Sequence, residues 1–237
     1  MANKLGKHTP YFELVDAQAQ PGCPICRLAY KATDRYLDSL LYEAVLDPEV
    51  RDKLKRAQGF CRDHADMLSR RPGRALGVAL IYRDIIRDLA NRLEQGAFRP
   101  HPSLVDRILG RAPGGMDAAE ALARGGRCPA CVIAEQSENT YLDLMLAHIA
   151  DDNLHRAYAA GEGLCLPHLI GALERTSDPE GFQRLVAPQV ERYRAMLHDL
   201  DEFIRKHEPD RPAFVICHTD GRGPNVFPLI DMSRADW

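Results

Sequence analysis

The sequence predicts a mainly α-helical protein with two repeated helical units in a pseudo-twofold arrangement, each with a Cys₃His metal site, and a short C-terminal β-hairpin or extended strap. Three observations support this fold class: a cysteine–histidine signature occurs twice, apolar residues recur with helical periodicity, and a stretch rich in glycine and proline separates the halves. We therefore expect a first helical unit at 1–95, a linker with short helices at 96–127, a second helical unit at 128–207 and a C-terminal extension at 208–237.

The repeated signature contains six of the seven cysteines. In each copy a CPxC motif is followed, more than 30 residues later, by a CxxH motif. Three thiols and one imidazole match the ligand count and softness of a tetrahedral zinc site. We expect two zinc ions, each bound within one repeat: one by Cys23, Cys26, Cys61 and His64, and the other by Cys128, Cys131, Cys165 and His168.

An iron–sulfur cluster is the less favoured alternative for these ligands. Neither half has the tight multi-cysteine run that is usual for such clusters. A third interpretation, thiols that bind no metal, requires that chance produced the same unusual spacing twice.

The similarity of the two halves extends beyond the ligands. A shift of 105 positions places Tyr36-Leu37-Asp38 on Tyr141-Leu142-Asp143. Residues 27–46 and 132–150 read as helices that begin at their CPxC motifs. Asp47-Pro48 is a typical helix stop and restart, and Asp151-Asp152 takes its place in the second half. The helix lengths conflict with bringing the two motifs of one repeat together. The outward helix at 27–46 spans about 30 Å, while the returning helix at 49–58 spans about 15 Å. Either the outward helix breaks or the returning segment crosses it at an angle.

Each half also has an amphipathic helix whose apolar stripe we expect to be buried core. In the first half the stripe consists of Leu76, Leu80, Ile81, Ile85, Leu89 and Leu93. In the second it consists of Val186, Val190, Tyr193, Met196, Leu197, Leu200, Phe203 and Ile204.

The linker and the C-terminal extension are less regular. Short helices are expected at 104–109 and 116–123, between glycines and prolines. Residues 213–217 and 225–230 are β-prone and flank a turn-rich segment, which favours a hairpin or strap. The extension also holds Cys217-His218, where a buried strand thiol is favoured over a ligand and the role of the pair stays open.

Composition limits the class of protein. The formal net charge of −3 argues against nucleic-acid binding, which needs basic surface. No apolar run approaches the about 20 residues of a membrane span and the start has no export signal, so we expect a cytoplasmic protein with reduced thiols. A protein partner or a homodimer is compatible with the sequence, but no feature requires either.

The motifs resemble those of an uncharacterised bacterial family of largely helical proteins with duplicated CPxC and CxxH motifs. The resemblance covers most of residues 8–206 and includes, in order, His8-Thr9-Pro10-Tyr11-Phe12-Glu13-Leu14, Gly22-Cys23-Pro24-Ile25-Cys26 and Gly59-Phe60-Cys61-Arg62-Asp63-His64, then the second pair of motifs. It implies a metal-ligand role for the same eight residues. Because the family is a domain of unknown function, it implies no reaction.

Three functions follow from these observations. The leading hypothesis is a helical binding or regulatory scaffold with two closed structural zinc sites. The second is a redox switch whose thiolates release zinc on oxidation, with Arg27 and Arg62 making the first repeat's site the more reactive one. The third is an iron–sulfur or other metalloenzyme. It is the least favoured, because the common hydrolase and nucleotide motifs are absent from the sequence.

Overall fold

The computed structural model describes residues 9–96 and 115–207. These residues form ten α-helices and no strand. In chain order the helices are α1 Thr9–Gln18, α2 Pro24–Glu43, α3 Pro48–Arg56, α4 Arg62–Ser69, α5 Ala75–Gln95, α6 Met116–Ala121, α7 Pro129–His148, α8 Asp152–Ala160, α9 Leu166–Arg175 and α10 Pro179–His207. The prediction of a mainly helical protein is confirmed for this part of the chain.

The helices belong to two compact units. One, the split unit, takes the chain up to Tyr30 and again from Gln136 onward, and the other, the continuous unit, is Lys31–Glu135. This division differs from the four consecutive segments expected from the sequence. The reason lies in α2 and α7, which both have 20 residues and span about 30 Å. Each of these helices begins in one unit and continues in the other.

The split unit packs α1, the start of α2 and helices α7 to α10 around one apolar core. Its largest fully buried side chains are Tyr11, Leu14, Ile25, Met145, Leu154, Tyr158, Leu164 and Leu185. Helix α8 begins where the sequence predicts, because the side chain of Asp151 caps it by accepting from the backbone N–H groups of Asn153 at 3.2 Å and Leu154 at 3.3 Å.

The continuous unit has its own core, formed mainly by α2 to α5. Its largest fully buried side chains are Leu37, Leu54, Leu68 and Ile81. Asp47 caps α3 in the same way, and Pro48 is the first residue of that helix, as predicted. The guanidinium of Arg51 is largely buried, where it donates to the carbonyl of Leu80 and to a carboxylate oxygen of Asp84 at 2.6 Å.

The expectation that both apolar stripes are fully buried is wrong. On α5, Ile81 and Ile85 are buried, but Leu76 and Leu93 are exposed. On α10, five members of the predicted stripe are exposed: Val190, Tyr193, Leu197, Phe203 and Ile204. The physical reason is length, since α10 has 29 residues and packs on α8, which has nine. Its C-terminal half therefore extends beyond its partner.

The remaining predictions concern the linker and the C-terminal extension. Helix α6 confirms the short helix expected at 116–123. The helix expected at 104–109, the β-prone segments of 208–237 and the pair Cys217-His218 lie outside the described residues. No helix among the described residues has the length and apolar character needed to cross a membrane.

Candidate metal centres

The eight predicted ligands gather into two groups, each small enough to hold one metal ion. The first centre is Cys23, Cys26, Cys165 and His168, and the second centre is Cys61, His64, Cys128 and Cys131. In each group the four candidate ligand atoms all lie within 4.8 Å of one another. The first centre lies wholly in the split unit and the second wholly in the continuous unit.

The expected pairing of ligands within each repeat is wrong. We expected Cys23 and Cys26 to join Cys61 and His64, but the CPxC motif of each repeat meets the CxxH motif of the other. Helix lengths explain the exchange. After Cys23, α2 carries the chain about 30 Å away, and the nine residues of α3 return it by only about 13 Å. The same holds for α7 and α8, so neither CxxH motif returns to its own CPxC motif.

Both centres are built from the starts of two helices. In the first centre, Cys23 directly precedes α2 and Cys165 is the N-cap of α9. The second ligand from each helix is its third residue, Cys26 in α2 and His168 in α9. Residues three apart on the first helical turn point to one side, which explains why both motifs have two intervening residues.

The second centre repeats this construction with α4 and α7. Cys61 is the N-cap of α4 and Cys128 directly precedes α7, while His64 and Cys131 are the third residues of the same helices. Neither Cys61 nor Cys165 uses its sulfur to cap its own helix. Both sulfur atoms are therefore available to bind a metal ion.

In the first centre, each of the four side chains lies within 3.7 Å of at least one other candidate ligand atom. The Sγ atoms of Cys26 and Cys165 are 3.7 Å apart. The Nδ1 atom of His168 lies 3.5 Å from the sulfur of Cys23, 3.3 Å from that of Cys26 and 3.1 Å from that of Cys165. Imidazole Nδ1, rather than Nε2, is thus the atom that faces the three thiols.

The second centre has nearly the same dimensions. The sulfurs of Cys61 and Cys131 are 3.6 Å apart. The Nδ1 atom of His64 lies 3.1 Å from the sulfur of Cys61, 3.6 Å from that of Cys128 and 3.3 Å from that of Cys131. Both histidines therefore present the same ring nitrogen.

These distances fit a tetrahedral ion. Zinc bonds of about 2.3 Å to sulfur and about 2.0–2.1 Å to nitrogen give edges of about 3.8 Å between two sulfurs and about 3.5 Å between sulfur and nitrogen. The two sulfur–sulfur distances are 3.7 and 3.6 Å, and the sulfur–nitrogen distances run from 3.1 to 3.6 Å. The six described cysteines are free thiols, and sulfur atoms 3.6–3.7 Å apart are not joined by a disulfide bond of about 2.05 Å.

The electrostatics of the first centre show how strongly its groups interact. Hydrogen bonds with Cys165 and Cys26 lower the pKa of the Cys23 thiol far below its ordinary value, and the pKa of Cys26 is raised by its hydrogen bonds with Cys165 and Cys23. Burial lowers the pKa of His168, but hydrogen bonds with Cys165, Cys23 and Glu138 outweigh burial and raise it to about 11. Three thiols in so small a volume cannot all be ionised unless a cation balances their charge.

The second centre is the more open of the two. Cys61, His64 and Cys131 are half-buried and only Cys128 is buried, whereas Cys26 is the one half-buried ligand of the first centre. Burial, followed by the charge of Cys128, raises the pKa of Cys131 to about 12. The two centres thus share a ligand set but differ in their access to solvent.

A carboxylate lies near the ring nitrogen of His168 that faces away from the three thiols. Glu138 of α7 has an oxygen 3.7 Å from Nε2 of His168, and both side chains are about nine-tenths buried. Such a carboxylate fixes the imidazole's orientation and tautomer and leaves Nδ1 to the metal. Sequence comparison missed Glu138 because the matching position in the other repeat, 105 residues earlier, is Thr33.

Because the motifs are exchanged, two arginines that were expected beside one centre adjoin different centres. Arg27 follows Cys26 of the first centre and Arg62 follows Cys61 of the second. The expectation that both arginines serve one site is therefore wrong, and each centre has one. Arg27 donates a hydrogen bond to the carbonyl of Pro21.

Comparisons with known proteins identify relatives but no activity. The profile of DUF6062, a family of unknown function, matches residues 10–210. An uncharacterised 23.9 kDa protein in the xynA 3′ region of Caldicellulosiruptor sp. (strain Rt8B.4) is 38% identical over 65 residues. The matched segment is 27% of this chain and 31% of that protein. No solved structure matches the chain.

Proposed function

Because the chain belongs to DUF6062, a family of unknown function, we propose a function from its two centres: each holds one zinc ion as a closed structural site, and the protein is a helical binding or regulatory scaffold. A tetrahedral ion with four protein ligands has no open position for water or substrate. Such a site contributes folding free energy rather than catalysis.

One observation carries this proposal. Two groups of three thiols and one Nδ1 nitrogen, in separate parts of the fold, have sulfur–sulfur and sulfur–nitrogen distances close to those around a tetrahedral zinc ion. Thiolate-rich ligand sets select zinc among the common divalent ions, and spaced CPxC and CxxH pairs are more typical of zinc than of iron–sulfur clusters. Each ion would join two helix starts in its own unit.

The proposal includes an internal duplication. The helices that follow the two CPxC motifs have 20 residues each, and the next helices have nine residues each. Asp47 and Asp151 cap those shorter helices in the same way. Matched lengths, caps and ligand positions support two copies of one ancestral unit that exchanged their CPxC motifs.

Elemental analysis and an absorption spectrum of the purified protein test the metal. We expect about two equivalents of zinc per chain and no visible absorption. Chelation should lower both the helical signal in circular dichroism and the melting temperature, because each ion ties helix starts together. A brown protein containing iron would contradict the zinc assignment, and unchanged helicity and melting after complete metal removal would contradict the structural role.

The openness of the second centre favours a second candidate function, a thiol-based redox switch. The half-buried sulfurs of Cys61 and Cys131 are 3.6 Å apart. Oxidation of these two zinc-bound thiolates by a peroxide would form one disulfide and release the zinc ion, while the peroxide takes up two electrons and two protons to give two water molecules. The first centre, in which Cys23 and Cys165 are buried and Cys26 is half-buried, should resist this reaction.

Peroxide treatment with a chromogenic zinc chelator tests the switch. We expect rapid release of about one equivalent of zinc from the second centre, before any loss of overall helicity. A Cys61→Ser variant should lose this rapid phase, whereas the matched Cys165→Ser variant should keep it. Zinc release that occurs only with global unfolding would rule the switch out.

We also propose a cytoplasmic location, a structural rather than catalytic role, and a protein partner. A cytoplasmic location suits thiolate ligands, because reducing conditions keep them from forming disulfides. The closed ligand sets argue for a structural protein rather than an enzyme. A net charge of −3 is unfavourable for nucleic acid, so a protein is the partner that we propose.

A further inference from the structure

Helix α10 carries an apolar stripe that is distinct from the residues with which the helix packs on its own unit. It consists of six residues at alternating spacings of four and three: Val186, Val190, Tyr193, Leu197, Leu200 and Ile204. This alternation is the a/d pattern of a two-helix coiled coil, with Val190, Leu197 and Ile204 at a positions. A globular helix that only docks on a core does not require so regular a seam.

The seam lies on a different face from the docked residues. Leu185 and Gln189 are buried, and the Arg192 guanidinium donates to the carbonyl of Gly161. At 100° per residue, the centre of the seam is about 100° around the helix from these residues. Leu185 is the member of α10 that enters a core cluster of the described residues, and no seam residue does so.

The seam is open over its C-terminal part. Leu197 and Ile204 are each 58% exposed and Tyr193 is 37% exposed. Isolated exposed apolar residues are ordinary, but a periodic row on one face of a long helix marks an interaction surface. An occupant of this surface has to be a second helix of matching pattern, because a/d knobs fill holes formed by such a helix.

We propose that the occupant is α10 of a second copy of this chain, paired antiparallel. The orientation follows from the charges beside the seam. Arg194 and Asp201 are exposed and occupy successive e positions on one flank. When one helix is reversed, e positions face e positions, so Arg194 of each copy lies against Asp201 of the other. A parallel pair would instead place Arg194 opposite Gln189 and Asp201 opposite Met196, without a charge pair.

The interface is small and self-contained. The seam is about 27 Å long, and one helix pair of this length buries less than the about 800 Å² per partner of a standard interface. We therefore expect a reversible dimer with a dissociation constant in roughly the micromolar range. Because the seam contains no metal ligand, the dimer does not depend on the zinc proposal.

Sedimentation equilibrium of the full chain over a range of concentrations tests the dimer. Leu197→Glu should weaken association by at least about 100-fold, because twofold symmetry replaces two buried leucines with charged groups. Leu46→Glu is the matched control: Leu46 is also highly exposed, at 75%, but lies between α2 and α3. We expect the control to dimerise like the unchanged protein.

A charge exchange tests both the partner and the orientation without altering the apolar seam. Arg194→Asp and Asp201→Arg should each weaken the dimer roughly 5- to 10-fold, because each sets like charges together twice. The double variant should restore association. A protein that is monomeric at every concentration, with amides of 193–204 protected from hydrogen exchange, would assign the seam to the chain's own residues and overturn the proposal. Failure of the double variant to restore association would overturn the antiparallel pairing.

Discussion

The exchange of motifs between the repeats predicts which pairs of cysteine substitutions affect the same metal ion. Cys23 and Cys165 belong to one group, although they are far apart in sequence. Cys23 and Cys61 belong to one repeat but to different groups. A Cys23→Ser/Cys165→Ser variant should therefore lose one ion, and a Cys23→Ser/Cys61→Ser variant should lose both.

The expected magnitude follows from the four-ligand geometry. If four ligands share the about 10–16 kcal/mol of apparent binding free energy of a structural zinc, one lost thiolate costs roughly 3–4 kcal/mol, or about 10²- to 10³-fold in affinity. A chelator whose affinity for zinc lies between that of an intact centre and that of a substituted centre removes zinc only from the substituted centre. Under that condition the unchanged chain should keep about two equivalents of zinc, and each single variant should keep about one. The Cys23→Ser/Cys165→Ser variant should also keep about one equivalent, because both substitutions lie in the same centre. The Cys23→Ser/Cys61→Ser variant should keep about none, because each centre has lost a ligand.

Zinc content after dialysis against the chelator gives these numbers, and cobalt substitution reports on the thiolate ligands that remain through their absorption bands. Cys217→Ser is the matched control, and we expect it to keep both ions because Cys217 belongs to neither signature. The exchanged pairing is refuted if the Cys23→Ser/Cys61→Ser variant keeps one ion while the Cys23→Ser/Cys165→Ser variant loses both. That result would return the ligands to the pairing within repeats.

Three other substitutions address features around the centres. Glu138→Gln should weaken zinc binding at the first centre by about 10- to 100-fold in competition titrations, because the carboxylate no longer orients the imidazole; equal weakening at both centres would contradict this. Gly161→Ala should lower the free energy of unfolding, measured by chemical denaturation, by about 1–3 kcal/mol, because its Cβ would clash with the carbonyl oxygen of Gln18. Asp84→Ala should cost about 3 kcal/mol in chemical denaturation, because it leaves the buried guanidinium of Arg51 without its carboxylate; an unchanged midpoint would show that Leu80 and Val45 suffice.

Local patterns in the sequence were sufficient to find the eight side chains that form the two groups and several helix boundaries. A CPxC or CxxH motif is short, so the first helical turn alone brings its two side chains to one side. Asp47 and Asp151 also act locally, since each caps the helix that it directly precedes. These predictions succeeded because they depend on fewer than five consecutive residues.

Pairing of the motifs could not be predicted in this way, because it depends on the whole path between them. The unequal lengths of α2 and α3 already indicated a conflict with pairing inside one repeat, but the exchanged solution requires knowledge of where the second repeat lies. The prediction that the apolar stripe of α10 is buried was wrong for a related reason. Periodicity identifies an apolar face such as that of Tyr193 and Leu197, but not whether the partner of that face belongs to the same chain.

The exchanged pairing makes the two proposed cross-links nested rather than consecutive. The first centre joins Cys26 to Cys165, 139 positions apart, and the second joins His64 to Cys131, 67 positions apart and inside that interval. During synthesis the second centre is complete once Cys131 has emerged, whereas the first waits until His168, 37 residues later, or about 2–7 s at 5–20 residues per second. Pairing within repeats would have closed each loop after about 35 residues. Since closing a loop four times longer costs only about 1.2 kcal/mol more, the exchange has little thermodynamic cost but fixes an order of assembly, with the more open centre formed first.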